Sequence, residues 1–190
     1  MTIGETIMAS IYVASLTDYN AGVLHGDWFS LDDYADHEEL TAAVEDMLSK
    51  SPTAAEEGNV AEEWAIHDYE GFGPFKLGSE WAWFDFLYAL HEAFTEHGDA
   101  LGAYIAGVSS DRLETPEDVE DMVSRFEEEY VGETNLEDYA YDYVQDCGIF
   151  DGVSETFQNY FNYEAFARDL GYEGYTEVDY NYSTYLFRPI

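Results

Sequence analysis

Positive charge is what this sequence has least of. Its 190 residues hold six lysines and arginines against 42 aspartates and glutamates, a formal net charge of −36. The six bases, Lys50, Lys76, Arg112, Arg125, Arg168 and Arg188, are scattered and form no basic patch from neighbours in sequence. Phosphate contacts are made by Lys and Arg, so direct nucleic-acid binding is excluded. An anionic membrane surface repels such a chain as well. A single cysteine, Cys147, excludes an intramolecular disulfide and fits a reducing cytosol. The opening MTIGETIMAS lacks the basic and apolar regions of a signal peptide. No apolar run approaches the length that spans a bilayer. The expectation is a soluble, cytoplasmic protein whose partners are cations or strongly basic surfaces.

Motifs that carry chemistry are also missing. There is no GxxxxGK[ST], GxGxxG or GxSxG. In HEAFTEH (91–97) the two histidines sit about 240° apart on a helix and cannot share a metal as in HExxH. They read as a partly exposed pair. His67 in IHDYE reads as a strand histidine with ordinary hydrogen bonds, and His25 and His37 have no companion signature. DYVQDCGIFDG (142–152) lacks the acid spacing and terminal Glu of a calcium loop. Cys147 falls on an apolar helical stripe and is expected to be a buried thiol. No catalytic residue, metal site or cofactor is expected, and the chain is not read as an enzyme. Paired carboxylates carry no weight among so many acids.

What is present is enough to fold. Apolar residues make up 46% of the chain and aromatics 17%, too many for a disordered acidic polymer. SIYVAS (10–15) and VLHGDWFSL (23–31) read as strands that pair antiparallel across the turn-rich LTDYNAG (16–22). HEELTAAVEDMLSK (37–50) places Leu40, Ala43, Val44, Met47 and Leu48 at helical spacing. SPTAAEEGN (51–59) reads as a loop, EEWAIHDYE (62–70) as a third strand and GFGPF (71–75) as a domain edge. Ser79 is a candidate N-cap for a mostly enclosed helix over 81–94, followed by a smaller one near 99–107. A further helix is expected at 159–170, with terminal strands at 175–178 and 184–188. The tyrosines of the last thirty residues, Tyr160 to Tyr185, are expected mostly in the core or on strand faces, with some at a subunit interface. The fold class is α+β, divided as 1–75, a helical middle piece at 76–110, and acidic helices with C-terminal strands over 111–190.

The acidic helices are the unusual part. ETPEDVEDMVSRFEEEY (114–130) carries eight carboxylates and one arginine. Thr-Pro-Glu-Asp starts this helix, and Val119, Met122, Val123, Phe126 and Tyr130 form its core stripe. A second helix is expected over 136–147, stopped by Gly148. Leu136, Tyr139, Ala140, Tyr143 and Cys147 face inward, while Asp138, Asp142 and Asp146 form an outer column at steps of about 6 Å. Glu117–Asp121, Glu129–Glu133, Asp138–Asp142 and Asp142–Asp146 are like-charge i,i+4 pairs, each costing about 0.2–0.5 kcal/mol if helical. A merely solvated face does not account for acids four apart with no interleaved lysine. Adaptation to high salt predicts acids spread evenly over every surface. Imitation of a polyanion turns the repulsion into the function: 36 charges equal those on about 60 Å of DNA duplex at most.

Three ordered blocks carry a family resemblance. IYVASLTDYNAGVLHGDWFSL (11–31), EEWAIHDYEGF (62–72) and FQNYFNYEAFARDL (157–170) resemble the ArdA-type antirestriction proteins, with their "L..YN.G" turn and "G.W" strand, "E.AIHDYE" block and "QNYI.Y.A..RDL" block. The resemblance spans nearly the whole chain. It implies an elongated row of three small domains, a homodimer, and a non-enzymatic DNA mimic encoded on mobile genetic elements. Such proteins inhibit type I restriction–modification enzymes by filling the DNA-binding groove of the specificity and methyltransferase subunits. Carried onto this chain, the expected phosphate mimics are Glu114, Glu117, Asp118, Glu120, Asp121, Glu127, Glu128, Glu129, Glu133, Glu137, Asp138, Asp142 and Asp146. The alternative from charge alone is an acidic binding module for another DNA-handling or basic nucleoid protein.

Overall fold

A computed structural model describes residues 8–190. Among them the chain is α+β, as expected, with helices and two three-stranded antiparallel sheets. It divides into two compact units. The first takes in the chain up to Gly98 together with Asp111–Val123, and the second comprises Asp99–Ser110 and Ser124–Ile190.

In the first unit, strands β1 (Ser10–Ser15), β2 (Gly26–Ser30) and β3 (Trp64–Glu70) form a sheet in the order β2-β1-β3. The central strand buries Ile11 and Val13 at alternate positions, the period-two pattern of a half-buried strand. Tyr12 pairs with Trp28 across β2, their rings 5.7 Å apart. Gly26 passes so close to β1 that a Cβ there would strike the Val13 carbonyl and lie 2.9 Å from the Ala14 Cα. Against β3 the register shifts, Tyr12 facing Asp68 and Val13 facing Ile66. His67 is the extra residue of this bulge, exposed, with its ring 4.7 Å from Tyr19.

Two short helices occupy segments expected as turn and loop. Leu16–Asn20 forms α1 and Pro52–Glu57 forms α3. The expected loop at 51–59 is thus mostly helix, with Ser51 as N-cap, Pro52 at its start and Gly58 in the left-handed conformation at its end. Six residues are too few to show apolar periodicity, and a tertiary contact holds the turn in place. Fully buried Asp18 of α1 accepts the Thr53 N–H at Oδ1, 3.0 Å away. Burial pushes this carboxyl up, but the Ser51 and Ser15 hydroxyls and the Thr53 hydrogen bonds outweigh it and hold the group well below the usual carboxylate range.

Between them runs α2 (His37–Ser49), capped by Asp36 and burying Leu40, Val44, Met47 and Leu48. The long helix α4 (Phe84–Gly107) is broken at Gly98, whose φ of 55° and ψ of −136° separate the two expected helices. Its start corrects the N-cap expected at Ser79. Ser79 accepts the Trp81 N–H in a turn, and Glu80 accepts the Ile66 N–H, so the segment runs beside β3 before the helix begins. As a result Trp81 and Trp83 are exposed rather than enclosed. His91 corrects the partly exposed pair: it is buried, and its Nε2 lies 3.1 Å from Asp32 Oδ1.

In the second unit, β4 (Tyr130–Glu133), β5 (Thr176–Tyr180) and β6 (Ser183–Phe187) form a sheet in the order β4-β6-β5. β4 falls where the pattern of 114–130 reads as continuing helix; pairing of Tyr130 with Phe187 and Glu133 with Tyr185 overrides it. β5 and β6 join through Asn181 and Tyr182, both at positive φ (45° and 68°), the two-residue turn whose twist suits a hairpin. Helix α6 (Leu136–Asp146) packs on α8 (Tyr163–Tyr172) around Leu136, Ala140, Ala167, Leu170 and Leu186. The helix expected at 159–170 is α8, which starts only at Tyr163 because Asn162 caps it by accepting the Ala165 N–H, and a separate short helix, α7 (Glu155–Gln158), precedes it. Of the late tyrosines Tyr185 is buried, while Tyr160, Tyr172 and Tyr182 are exposed, fewer in the core than expected.

Candidate functional site

Helix α5 (Pro116–Glu129) starts in the first unit and ends in the second. Its N-terminus is a capping box. Thr115 Oγ1 accepts the Asp118 N–H at 3.2 Å, and Asp118 Oδ2 accepts the N–H groups of Glu114 and Thr115 at 3.0 and 2.9 Å. The Glu114 N–H first, then the Thr115 hydroxyl and N–H, hold the Asp118 carboxyl below its ordinary range, so it stays charged. Val119, Met122 and Phe126 are buried, and Val123 and Tyr130 are half-buried, so the expected stripe does face inward. Phe126 stacks on Tyr130 at 5.2 Å and meets Tyr104 edge-on at 5.5 Å.

With that stripe inward, Glu117, Glu120, Asp121, Glu127 and Glu128 are exposed. At about 100° per residue, Glu117, Asp121 and Glu128 fall within about 40° of one another, opposite Phe126. Glu120 and Glu127 make a neighbouring row. Seven carboxylates over 14 residues amount to one per roughly 3 Å of helix axis. Glu129 is drawn to the flank, where Tyr104 donates to its Oε1 at 3.2 Å. Burial first, and then the Glu129 charge, push the Tyr104 phenol up to about 12. Glu114 stands outside the helix, paired with Arg112 through Nε at 2.7 Å.

On α6, Glu137, Asp138, Asp142 and Asp146 are all exposed, and the latter three form the expected column. Asn135 caps this helix, accepting the Asp138 N–H at 2.8 Å and donating to its Oδ2 at 2.7 Å. Two expectations fail here. Glu133 lies on β4 and accepts a hydrogen bond from Ser183 at 2.6 Å, so it forms no i,i+4 helical pair with Glu129. Cys147 is exposed rather than buried: it continues the angular position of Leu136, Ala140 and Val144 but falls at the C-cap, past the last helical residue Asp146.

Carboxylates of the same kind lie beyond the expected set. Glu38, Glu39, Glu45 and Asp46 are exposed on α2, and HEELTAAVEDMLSK shows them as plainly as 114–130 shows its own. Other acids serve the fold: Glu177 on β5 accepts the Leu136 N–H at 2.6 Å and so caps α6 from the sheet. That role has no sequence signal, since 41 residues separate the partners. Among the described residues no group of three or more His, Cys, Asp and Glu is placed to hold a metal ion. Nor is any helix among them long and apolar enough to cross a membrane. The arrangement offers dense fixed negative charge on rigid helices.

Residues 11–184 match the family model described as Antirestriction protein (ArdA). No curated protein matches the chain.

Proposed function

The chain belongs to the ArdA family of antirestriction proteins, and from that premise we propose that it is a DNA mimic which occupies the DNA-binding groove of a type I restriction–modification enzyme. The observation that carries this is the charge spacing on α5. One carboxylate per roughly 3 Å of axis is close to the one phosphate per about 3.4 Å along a DNA strand. A helix holds those charges on a rigid rod, so a groove that neutralises phosphates with Lys and Arg meets a similar density without the protein having to order itself first. The column on α6 adds Asp138, Asp142 and Asp146 at steps of about 6 Å. Long-range attraction between this surface and a basic groove speeds the encounter.

Partner residues are then the exposed acids Glu117, Glu120, Asp121, Glu127, Glu128, Glu137, Asp138, Asp142 and Asp146, with Glu114, Asp118, Glu129 and Glu133 contributing charge from positions also held by internal hydrogen bonds. The working form is a homodimer that inhibits by occupancy and without turnover. A competition assay tests this: at low salt, excess protein should displace labelled duplex from a type I methyltransferase, and added salt should weaken its binding steeply. Unchanged DNA binding in the presence of excess protein at low salt refutes the mechanism. Retained competition after Asp138, Asp142 and Asp146 are all replaced by Asn removes α6 from the contact.

A further inference from the structure

A second surface, in the first unit, has a different character. Trp81 and Trp83 are 61% and 75% exposed, on the segment that runs beside β3 before α4 begins. With Trp64, Leu16, Glu62 and Glu63 they line an open cleft of about 480 Å³. Its walls are held in place. The Leu16 N–H donates to the Glu63 carbonyl at 2.9 Å, and the Ile66 N–H to the Glu80 carbonyl at 2.8 Å. The Trp64 ring stacks on Phe84 at 4.7 Å and 17°, and Ser79 Oγ takes the Trp81 N–H at 3.1 Å. Folding alone gives no reason to leave two large indoles in water, and exposed tryptophan is typical of residues that anchor a partner.

The chemistry of the cleft selects the occupant. Indole faces are the negative ends of an aromatic quadrupole, and the exposed carboxylates of Glu62 and Glu63 add full charges beside them. Such a cleft repels phosphate and carboxylate and attracts a cation. Between the two protein cations, the ammonium of lysine is compact and strongly hydrated. A guanidinium is planar, gives up water more readily, stacks on indole and donates in parallel to carboxylate. A second copy of this chain is a poor source, having four arginines among 42 acids.

We propose that the Trp64–Trp81–Trp83 cleft is a docking site for an arginine side chain presented by a protein partner, the guanidinium lying against the indoles while Glu62 and Glu63 accept its N–H groups. This docking is independent of whether α5 and α6 imitate DNA.

Its test uses the full chain labelled with ¹⁵N, following the indole N–H signals of its four tryptophans, assigned by single Trp→Phe variants. The probes are the short peptide acetyl-Gly-Arg-Arg-Gly-amide, its lysine analogue, and the uncharged citrulline analogue, all at physiological salt. The arginine peptide should move the Trp81 and Trp83 signals in a saturable way, the lysine peptide less, and the citrulline peptide hardly at all. Glu62→Gln/Glu63→Gln should weaken arginine-peptide binding by about threefold or more, the size of exposed cation–π and ion-pair contacts. Trp81→Ala/Trp83→Ala should abolish the saturable response at Trp64. Three results overturn the assignment. One is indole signals that stay still while signals elsewhere move, which means diffuse binding to the acidic surface. Another is an equal response to citrulline, which means an apolar groove. The third is movement of the same indoles with protein concentration alone, which means that a second copy covers the cleft.

Discussion

Replacing Asp142 with Asn should make this protein more stable and a poorer inhibitor. Asp142 stands in the middle of the α6 column, with Asp138 four residues before it and Asp146 four after, all exposed. Each neighbour is about 6 Å away along the axis. Like-charge pairs at this spacing cost about 0.2–0.5 kcal/mol each, so Asp142→Asn removes two and stabilises by about 0.4–1 kcal/mol. Asn is nearly isosteric with Asp and similar in helix propensity, and position 142 plays no part in the cap, which belongs to Asn135 and Asp138. For a chain of this size the gain corresponds to a melting-temperature rise of about 1–4 °C. The effect is electrostatic. With a screening length of about 10 Å at 0.1 M salt and about 3 Å at 1 M, it should appear at low ionic strength and largely vanish at high. Thermal unfolding followed by circular dichroism in both salts measures it. A melting temperature unchanged or lowered at low salt, or a gain of equal size at 1 M, refutes the claim that the column repels itself. The same variant should compete less well with duplex DNA for a type I methyltransferase, so stability and inhibition move in opposite directions.

Two further outcomes follow from the fold. Asp18→Asn removes a buried charged acceptor from the Thr53 N–H and should cost about 1.5–3 kcal/mol at pH 7. Because the folded carboxyl titrates below its unfolded value of about 3.9, its stabilisation is complete above that pH and is lost as pH falls through the folded value. The gap between wild type and variant in urea unfolding should therefore narrow at acid pH, and a gap independent of pH would refute the assignment. Tyr182 holds a left-handed backbone in the β5–β6 turn, with its side chain fully in solvent. Tyr182→Gly should relieve about 1–2 kcal/mol of backbone strain without losing packing, and a lower melting temperature would show that the ring does unseen work.

The sequence by itself determined the class of the fold and the chemical character of the surface. Strands 10–15 and 62–70, helix 37–50 and the acidic helices are legible because alternation and helical spacing are local properties, and each repeats over enough residues to be seen. The count of acids and the lack of bases need no structure at all. Tertiary structure decided what depends on partners distant in the chain. α3 exists where six residues show no period, anchored from Asp18; β4 interrupts what reads as helix because β6 pairs with it. Cys147 was placed outside by the end of α6, and Glu177 was taken from the acidic surface to serve as a cap. Above all, the start of α4 at Phe84 rather than at the Ser79 cap left Trp81 and Trp83 in solvent, because the Ser79–Trp81 turn, tied to β3 where the Ile66 N–H donates to the Glu80 carbonyl, keeps their segment out of the helix. Periodicity records which residues prefer burial, whereas only the assembled chain decides which of them find something to be buried against.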